Sequence, residues 1–239
     1  ETCQTTASQS QGEWHLSGHK SLVAAADHAD AFLVPAMHQG QLAMYLVPRS
    51  AATLTSHTYH AQDGSRMGEL LLNNAAAVLV SLQGLAALQL GVDVGIAALC
   101  AESVGLMDKT LSVTVEYMNT RKQFGVPIAA FQALQHRAAD MKMQLELGRS
   151  MSYYATLKLN APADERSLAV SRAKYQIGRS TRHVGQEAVQ LHGGIGVTDE
   201  YIVSHYFKKL TQLEMTFGDT LHHLGQVSNS MQDTAGVFA

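Results

Sequence analysis

The spacing of apolar residues changes along the chain, and that change constrains the fold more than any other feature. Before about residue 60, short apolar stretches are separated by Gly18, by residues 27–30 and by the Gln39-Gly40 turn, which is typical of strands and turns. Pro35 and Pro48, two of the four prolines of the chain, also fall in this region. From about residue 76, apolar residues recur every three or four positions, the period of a helix that buries one face. We therefore expect a small β region followed by long helices.

Three apolar stripes define the helical part. They are, in chain order, Val104, Met107, Leu111, Val115 and Met118; Phe131, Leu134, Ala138, Met141, Leu145 and Gly148; and Ala169, Ala173, Ile177, Val184 and Ala188. Turn residues separate or end them at 125–127, 161–162 and 193–196, and shorter helices are expected over 201–212 and 217–231. Long helices with short connections are typical of an antiparallel bundle.

The predicted fold class is therefore mainly α, an antiparallel four-helix bundle preceded by a partial small β-domain. We expect the β-domain over residues 1–75 and the helical bundle domain over residues 76–239. The β region offers only three or four recognisable strands, too few for a barrel or sandwich, and a sheet of that size is marginally stable alone. We therefore expect that something is missing from this sheet or covers it.

Composition narrows the class of protein. Hydrophobic residues make up 46% of the chain and charged residues 15%, which excludes a disordered chain and indicates that another chain covers part of the surface. A net charge of −3 excludes a generally basic nucleic-acid binder. Uninterrupted apolar runs such as 75–80 are too short to span a bilayer. Cys3 and Cys100 are far apart and no secretory signal is present, so we expect a cytoplasmic protein.

The segment from Arg121 to Ile128, followed by Phe131 and Gln132, joins two predicted helices. An arginine here can bind a phosphate through two hydrogen bonds, and Gln132 can bond to a polar ligand edge. The alternative is a helix-ending loop with a solvated basic pair.

The segment from Gln190 to Gly196 is rich in glycine. Glycine lets a ligand approach the backbone, and the amide groups can face a pyrophosphate. The alternative is an ordinary turn that ends a helix. No strand precedes the glycines, so this is not a dinucleotide-binding fingerprint.

The segment from Leu213 to His223 contains His222 and His223 beside Asp219. Adjacent side chains on a helix point about 100° apart, so they do not have chelating spacing. We expect a solvated or core-packed histidine pair, and the 12 histidines of the chain form no metal signature.

Taken in order, the segments resemble a known family. Arg-x-Gln-Phe-Gly-x-x-Ile-x-x-Phe-Gln from Arg121, then Gln-x-x-Gly-Gly-x-Gly from Gln190, resembles the C-terminal half of the acyl-CoA dehydrogenases. Residues 14–20 and 29–34 look like the middle β-domain of that family. The resemblance implies an N-terminal helical domain, a middle β-domain and a C-terminal four-helix bundle. The chain opens on Glu1 without an initiator Met, inside the β-domain, so we expect a processed chain or a piece of a longer one.

The resemblance also implies a cofactor and its contacts. It implies non-covalent FAD bound across a subunit interface, an acyl-CoA thioester substrate and electron-transfer flavoprotein as acceptor. The positions that match the pyrophosphate and adenosine contacts from a neighbouring subunit are Arg121, Gln123, Phe124 and Gln132; those matching a loop that contacts the cofactor from the other subunit are Gln190, Gly193 and Gly194.

The family pattern fails where the chemistry takes place. The reaction needs a carboxylate base, but the two positions where family members carry it fall on Phe217 and Gly95. The usual flavin-stacking aromatic and hydroxyl residues are replaced by Leu22 and Ala24. Acids close by in the chain are Asp219, Glu214 and Asp93, each displaced by two or three residues and so turned to a different helix face.

This departure resembles the base-lacking subunit of bacterial heteromeric, steroid-type acyl-CoA dehydrogenases. The resemblance implies a homo- or hetero-oligomer with a related subunit, in which this chain alone is inactive. Two alternatives stay open: a structural or oligomerisation relative without flavin, and an oxidase relative that uses oxygen.

Overall fold

The computed structural model describes residues 3–235, with side chains as far as Met231, so Glu1 and Thr2 at the chain opening lie outside the described residues. The chain forms two compact units, Glu1–Gly91 and Val92–Ala239. Cys3 and Cys100 are both free thiols.

The first unit is built on a six-stranded sheet. Its strands are β1 (Thr6–Ser10), β2 (Glu13–Ala24), β3 (Ala31–His38), β4 (Gln41–Pro48), β5 (Leu54–His60) and β6 (Arg66–Ser81). They lie in the order β2-β1-β3-β4-β6-β5, and a further pairing of β2 with β6 joins all but β5 into a ring. Leu16, Tyr45 and Leu70 lie buried in its core.

The prediction of only three or four strands was therefore wrong. The missed strands have a weak apolar pattern, because β1 and β5 are mostly polar and largely exposed. The long strand β6 pairs antiparallel with β2, β4 and β5. Its pairing with both β2 and β4 closes the ring of strands.

The prediction that helix begins near residue 76 was also wrong, because β6 continues to Ser81. The run Ala75–Val80 is apolar on both faces, and periodicity alone does not distinguish such a strand from a helix segment. The first helix begins at Gly84, where any Cβ would lie 2.4 Å from the Leu42 carbonyl oxygen. Glycine is required there because the helix start touches the neighbouring strand.

The rest of the chain is mainly helical, as predicted. The helices are α1 (Gly84–Thr120), α2 (Gln132–Lys158), α3 (Ala163–His192), α4 (Ile202–Met215) and α5 (Thr220–Ala235), with a short hairpin of β7 (Lys122–Gln123) and β8 (Val126–Pro127) between α1 and α2. Helix α3 packs against α2, α4 and α5. Met107, Met141 and Val184 lie in the shared core, whereas Val115 and Phe131 of the predicted stripes are exposed. The four-helix bundle itself stays a prediction.

By length and composition alone, α1 is the one helix among residues 3–235 that could cross a bilayer. The sequence pattern had indicated no such segment because Gly91, Asp93 and Gly95 interrupt the apolar runs. Two observations favour a core helix: Met107 is buried in the helical core, and the Asp93 carboxylate pairs with Arg166. That α1 does not span a membrane stays a prediction.

Candidate functional site

A two-residue turn presents Phe124 at the end of α1. β7 and β8 pair antiparallel, and the turn residues between them, Phe124 and Gly125, have φ of 54° and 82°. Two positive φ angles in succession match the twist of a tight hairpin, but a phenylalanine rarely adopts one. The Phe124 ring is 92% exposed and meets Phe131 edge to face at 6.2 Å. A strained, outward-pointing aromatic ring at a hairpin tip is available to a ligand or another chain.

Polar side chains surround this hairpin and face solvent. Arg121, Gln123 and Gln132 are all exposed. The Arg121 guanidinium has no hydrogen bond or ion pair to any residue in the described part of the chain, while its backbone amide donates to the Tyr117 carbonyl at 2.8 Å. The arginine is therefore fixed at its backbone and free at its charged end.

The glycine turn follows directly after α3. Gly193 has φ of 63°, and its amide closes the helix by donating to the Val189 and Gln190 carbonyls. A Cβ at Gly193 or Gly194 would meet nothing within 4 Å, but one at Gly196 would lie 2.8 Å from the Val189 carbonyl oxygen. The turn therefore has one glycine required by packing and two whose surfaces are open.

Three aromatic side chains connect the hairpin to the glycine turn. Tyr117, in the last turn of α1, stacks on His192 with ring centroids 4.4 Å apart, and its hydroxyl donates to the His192 carbonyl at 3.3 Å. Tyr201 lies 5.1 Å from the His192 ring on another side. Since Tyr117 also holds the Arg121 amide, the two segments meet at one end of the helical unit. We call residues 121–132 and 190–196 the cofactor end.

The two positions expected to carry the base also meet. The Phe217 ring lies against Gly95, so that a Cβ at Gly95 would be 2.9 Å from the ring edge. Phe217 has φ of 59° and is 49% exposed, and Gly218 after it has φ of 100°. A ring fills the space where a side chain at Gly95 would stand. We call Gly95 and residues 213–223 the reacting end.

Each nearby acid has another partner. Asp93 is buried and accepts hydrogen bonds at 2.8 Å from Arg166 and from the Ser167 hydroxyl. Glu214 is buried and accepts from the Thr220 amide and hydroxyl at 3.0 and 2.6 Å. These contacts satisfy both carboxylates inside the fold.

Asp219 is exposed, and its carboxylate accepts the His222 amide at 2.8 Å. It therefore caps the start of α5, since the residue before a helix satisfies amides that have no partner within it. None of the three acids points an unpartnered carboxylate at the Phe217–Gly95 contact.

Two buried basic side chains, Lys174 and His223, hold the reacting end in place. The Lys174 ammonium is buried and donates to the carbonyls of Leu213 and Glu214, both at 2.7 Å, and burial lowers its pKa. The His223 ring donates from Nε2 to the Phe217 carbonyl at 3.1 Å, while its Nδ1 is buried without a partner in the described residues. Burial lowers the pKa of His223 to about 4. The histidine pair is thus divided: His223 is packed in the core and His222 is exposed.

The flavin-facing positions predicted in the β unit lie on a distorted stretch of β2. The pairing register shifts between Lys20 and Val23, and Leu22 has φ of 54° with 71% of its side chain exposed. Ala24 is exposed at the end of the strand. A bulge here turns an apolar side chain outward in place of an aromatic one.

Sequence reasoning missed Tyr117, Tyr201 and Lys174. Lys174 could have been found, because a lysine between Ala173 and Ile177 on an apolar stripe needs buried acceptors. Tyr117 has no such signal, since its stacking on His192 depends on how α1 and α3 pack. No group of three His, Cys, Asp or Glu residues arranged to hold a metal occurs in residues 3–231.

Known proteins are similar to this chain in sequence and fold. The family model described as acyl-CoA dehydrogenase, C-terminal domain, matches residues 83–232. The acyl-CoA dehydrogenase IpdE2 of Mycolicibacterium smegmatis is 32% identical over 176 residues, which cover 71% of this chain and 53% of that protein.

Two solved structures have the same fold over nearly the whole chain. A variant of the Tcur3481–Tcur3483 steroid ACAD has a TM-score of 0.87 and 29% identity, covering 97% of this chain and 63% of that one. The ChsE4–ChsE5 complex from Mycobacterium tuberculosis has a TM-score of 0.86 and 26% identity, covering 95% and 62%. This chain thus spans between 53% and 63% of the length of these relatives.

Proposed function

Since the chain belongs to the acyl-CoA dehydrogenase family, we propose that it is a subunit, or part of one, that contributes cofactor binding and oligomerisation while a partner chain supplies the catalytic base. The proposed domains are a β-domain remainder and a helical bundle, with their boundary after the end of β6 at Ser81 and not at residue 76. The assembly would convert an acyl-CoA thioester into a 2,3-enoyl-CoA. Two similar structures, whose names each pair two proteins, support a mixed assembly.

The cofactor end suits FAD, on which this family depends. Arg121 offers a permanent cation with no partner among the described residues, which is suited to a pyrophosphate. Gln123, Gln132 and Gln190 are exposed amides suited to ribose and adenine edges. Gly193 and Gly194 leave open space beside their backbone, so a ligand can approach that backbone closely. When bound, FAD supplies the acceptor for the hydride that leaves the β carbon of the acyl chain.

The Phe217–Gly95 contact carries the proposal that the base comes from elsewhere. In dehydrogenation a carboxylate must take the proton from the carbon next to the thioester. Here both candidate positions share one place, and an aromatic ring occupies it. The neighbouring acids are held by Arg166, Thr220 and the α5 amides. In this proposal, residues of this chain bind and orient FAD at the cofactor end. No residue of this chain takes the substrate proton at the reacting end.

Co-purification tests the proposal. The full-length protein is expressed alone and together with a family member from the same organism that carries the catalytic base. Flavin content and acyl-CoA oxidation are measured for both preparations. We expect flavin and activity in the joint preparation only. Activity of the full-length protein alone at the rate of the joint preparation would contradict the partner role.

The same preparations separate the other functions. A colourless protein in both preparations would favour a structural relative without flavin. Hydrogen peroxide formed on addition of substrate would favour an oxidase, whereas reduction of electron-transfer flavoprotein is expected for a dehydrogenase. We also propose a cytoplasmic location, which fractionation of the native organism would test.

A further inference from the structure

We infer that Tyr117 and His192 form a clamp that fixes the glycine turn relative to Arg121, and that both are positioning residues for the cofactor. This inference rests on the proposed function, because it concerns the same binding end. It adds two residues that sit behind the predicted contacts and would not touch the cofactor themselves. We call Tyr117 and His192 the clamp.

Tyr117 joins the end of α1 to the glycine turn through its side chain. Its backbone carbonyl accepts the Arg121 amide at 2.8 Å, an ordinary helical bond that any residue at this position would keep. Its hydroxyl donates to the His192 carbonyl at 3.3 Å, directly before Gly193. Its ring stacks on the His192 ring with an interplanar angle of 28°. One side chain therefore ties the end of α1 to the end of α3.

His192 is held on several sides. Its Nδ1 lies 2.7 Å from the Ala188 carbonyl, and Tyr201 packs on the ring at 5.1 Å. The side chain is 3% exposed, and Nε2 is buried without a partner among the described residues. Leaving a ring nitrogen unpaired costs free energy, and the stacking contacts offset part of that cost. The ring is thus fixed mainly by its aromatic neighbours.

The glycine turn needs such support. Gly193 and Gly194 have no side chains and nothing lies where a Cβ would be, so no side-chain packing of their own holds these two residues in place. A loop that must be ordered on binding loses affinity, whereas a loop already held in the bound conformation does not. The clamp supplies that order before the cofactor arrives. It also fixes the end of α1, where the Arg121 backbone is held, relative to the turn.

Hydrogen exchange in the flavin-free chain tests the clamp directly. Tyr117→Leu removes the stacking and the hydroxyl, Tyr117→Phe removes only the hydroxyl, and Tyr153→Leu on the exposed face of α2 is the matched control. We expect faster exchange over 193–197 in Tyr117→Leu, a smaller increase in Tyr117→Phe and none in the control. Equal exchange in all of them would overturn the inference.

FAD titration of the assembled protein gives the second measurement. We expect Tyr117→Phe to weaken FAD binding about fivefold and Tyr117→Leu about thirtyfold, from the lost hydrogen bond and the lost stacking. His192→Phe keeps the stacking and should bind FAD within about twofold of the wild-type affinity. His192→Leu loses the stacking and should bind FAD more weakly than His192→Phe. Wild-type affinity in Tyr117→Leu would also overturn the clamp.

The two measurements separate the clamp from the proposed function. If the wild-type assembly binds no FAD, the proposed function fails, and the exchange measurement still decides whether the turn is clamped. If Tyr117→Leu does not fold, the Tyr117→Phe and His192→Phe pair carries the test, because both keep the ring contacts.

Discussion

The cofactor end and the reacting end lie in the same helical unit but treat their polar groups in opposite ways. At the cofactor end, Arg121 and the glutamines are exposed, and Arg121 has no partner among the described residues. At the reacting end, Asp93 and Glu214 are buried with partners, and the Phe217 ring closes on Gly95. The difference teaches that one helical unit can leave polar groups open to solvent at one end while it gives polar groups partners and packs a ring against the backbone at the other. The four predictions below ask whether that contrast is real.

Returning a carboxylate to the reacting end should have the largest effect. Phe217→Glu would remove the ring from Gly95 and place a proton acceptor there. In an assembly whose partner base has been changed to an amide, we expect exchange of the substrate α-hydrogen to rise at least about 100-fold above Phe217→Gln, since general bases contribute on that order. Exchange into deuterated water measures it. Equal rates for the Glu and Gln variants would show that more than the base has been lost.

Acid should destabilise the reacting end through His223. Burial, with a contribution from Lys174, holds its pKa at about 4, below its ordinary value near 6.5. The unfolded chain therefore takes up the proton first, and stability present above about pH 6.5 is lost as the pH falls to about 4, by about 3 kcal/mol in total. Denaturation at pH 7, 5.5 and 4.5 measures this slope.

His223→Gln should flatten that slope, because glutamine can still donate to the Phe217 carbonyl but does not titrate. His222→Gln, at the exposed neighbour, is the control and should leave the slope unchanged. Some dependence of the free energy of unfolding on pH should remain in His223→Gln, because burial also lowers the pKa of His192. An unchanged slope in His223→Gln would mean that the reacting end is open to water.

Removing the cation should weaken the cofactor end. Arg121→Ala loses a charged hydrogen-bonding group and should weaken FAD binding about thirtyfold, or about 2 kcal/mol, with little change in the free energy of unfolding. Lys122→Ala, the adjacent exposed cation, is the control. Flavin fluorescence titration at two salt concentrations measures both. Similar losses in the two variants would indicate general charge attraction in place of a specific contact.

The smallest effect should come from Asp219. Since its carboxylate caps α5 through the His222 amide, Asp219→Ala should cost about 1 kcal/mol of unfolding free energy and leave the turnover of the assembly unchanged. Glu200→Ala, at an exposed position outside any helix, is the matched control. A large fall in turnover without a loss of stability would identify Asp219 as the base and end the contrast between the two regions.

The sequence predicted the elements that are bounded by strong local signals. Helix α3 begins directly after Pro162 and ends at Gly193, as expected from a proline and a glycine at its two ends. The sequence does not predict β1 and β5, because most of their residues are polar and the apolar alternation of a half-buried strand is missing. The sequence wrongly predicts helix at the end of β6, because the last residues of this strand are apolar on both faces.

The site could be predicted as positions but not as contacts. Motif spacing marked Arg121, Gly193, Phe217 and Gly95 one by one. That the Phe217 ring rests on Gly95 depends on how the segment after α4 folds back onto α1, and no local pattern encodes it. The same holds for Tyr117, whose partner His192 belongs to a different helix.

The outer position of β5 has a consequence for how this protein behaves at high concentration. Among the strands in the described part of the chain, β5 pairs only with β6, so its other side has no strand partner. Such an edge can recruit a strand from another molecule and start aggregation. Here the edge strand reads Leu-Thr-Ser-His-Thr-Tyr-His and is mostly exposed and polar. Apolar substitutions at Ser56 or Thr58 should therefore lower solubility before they lower stability.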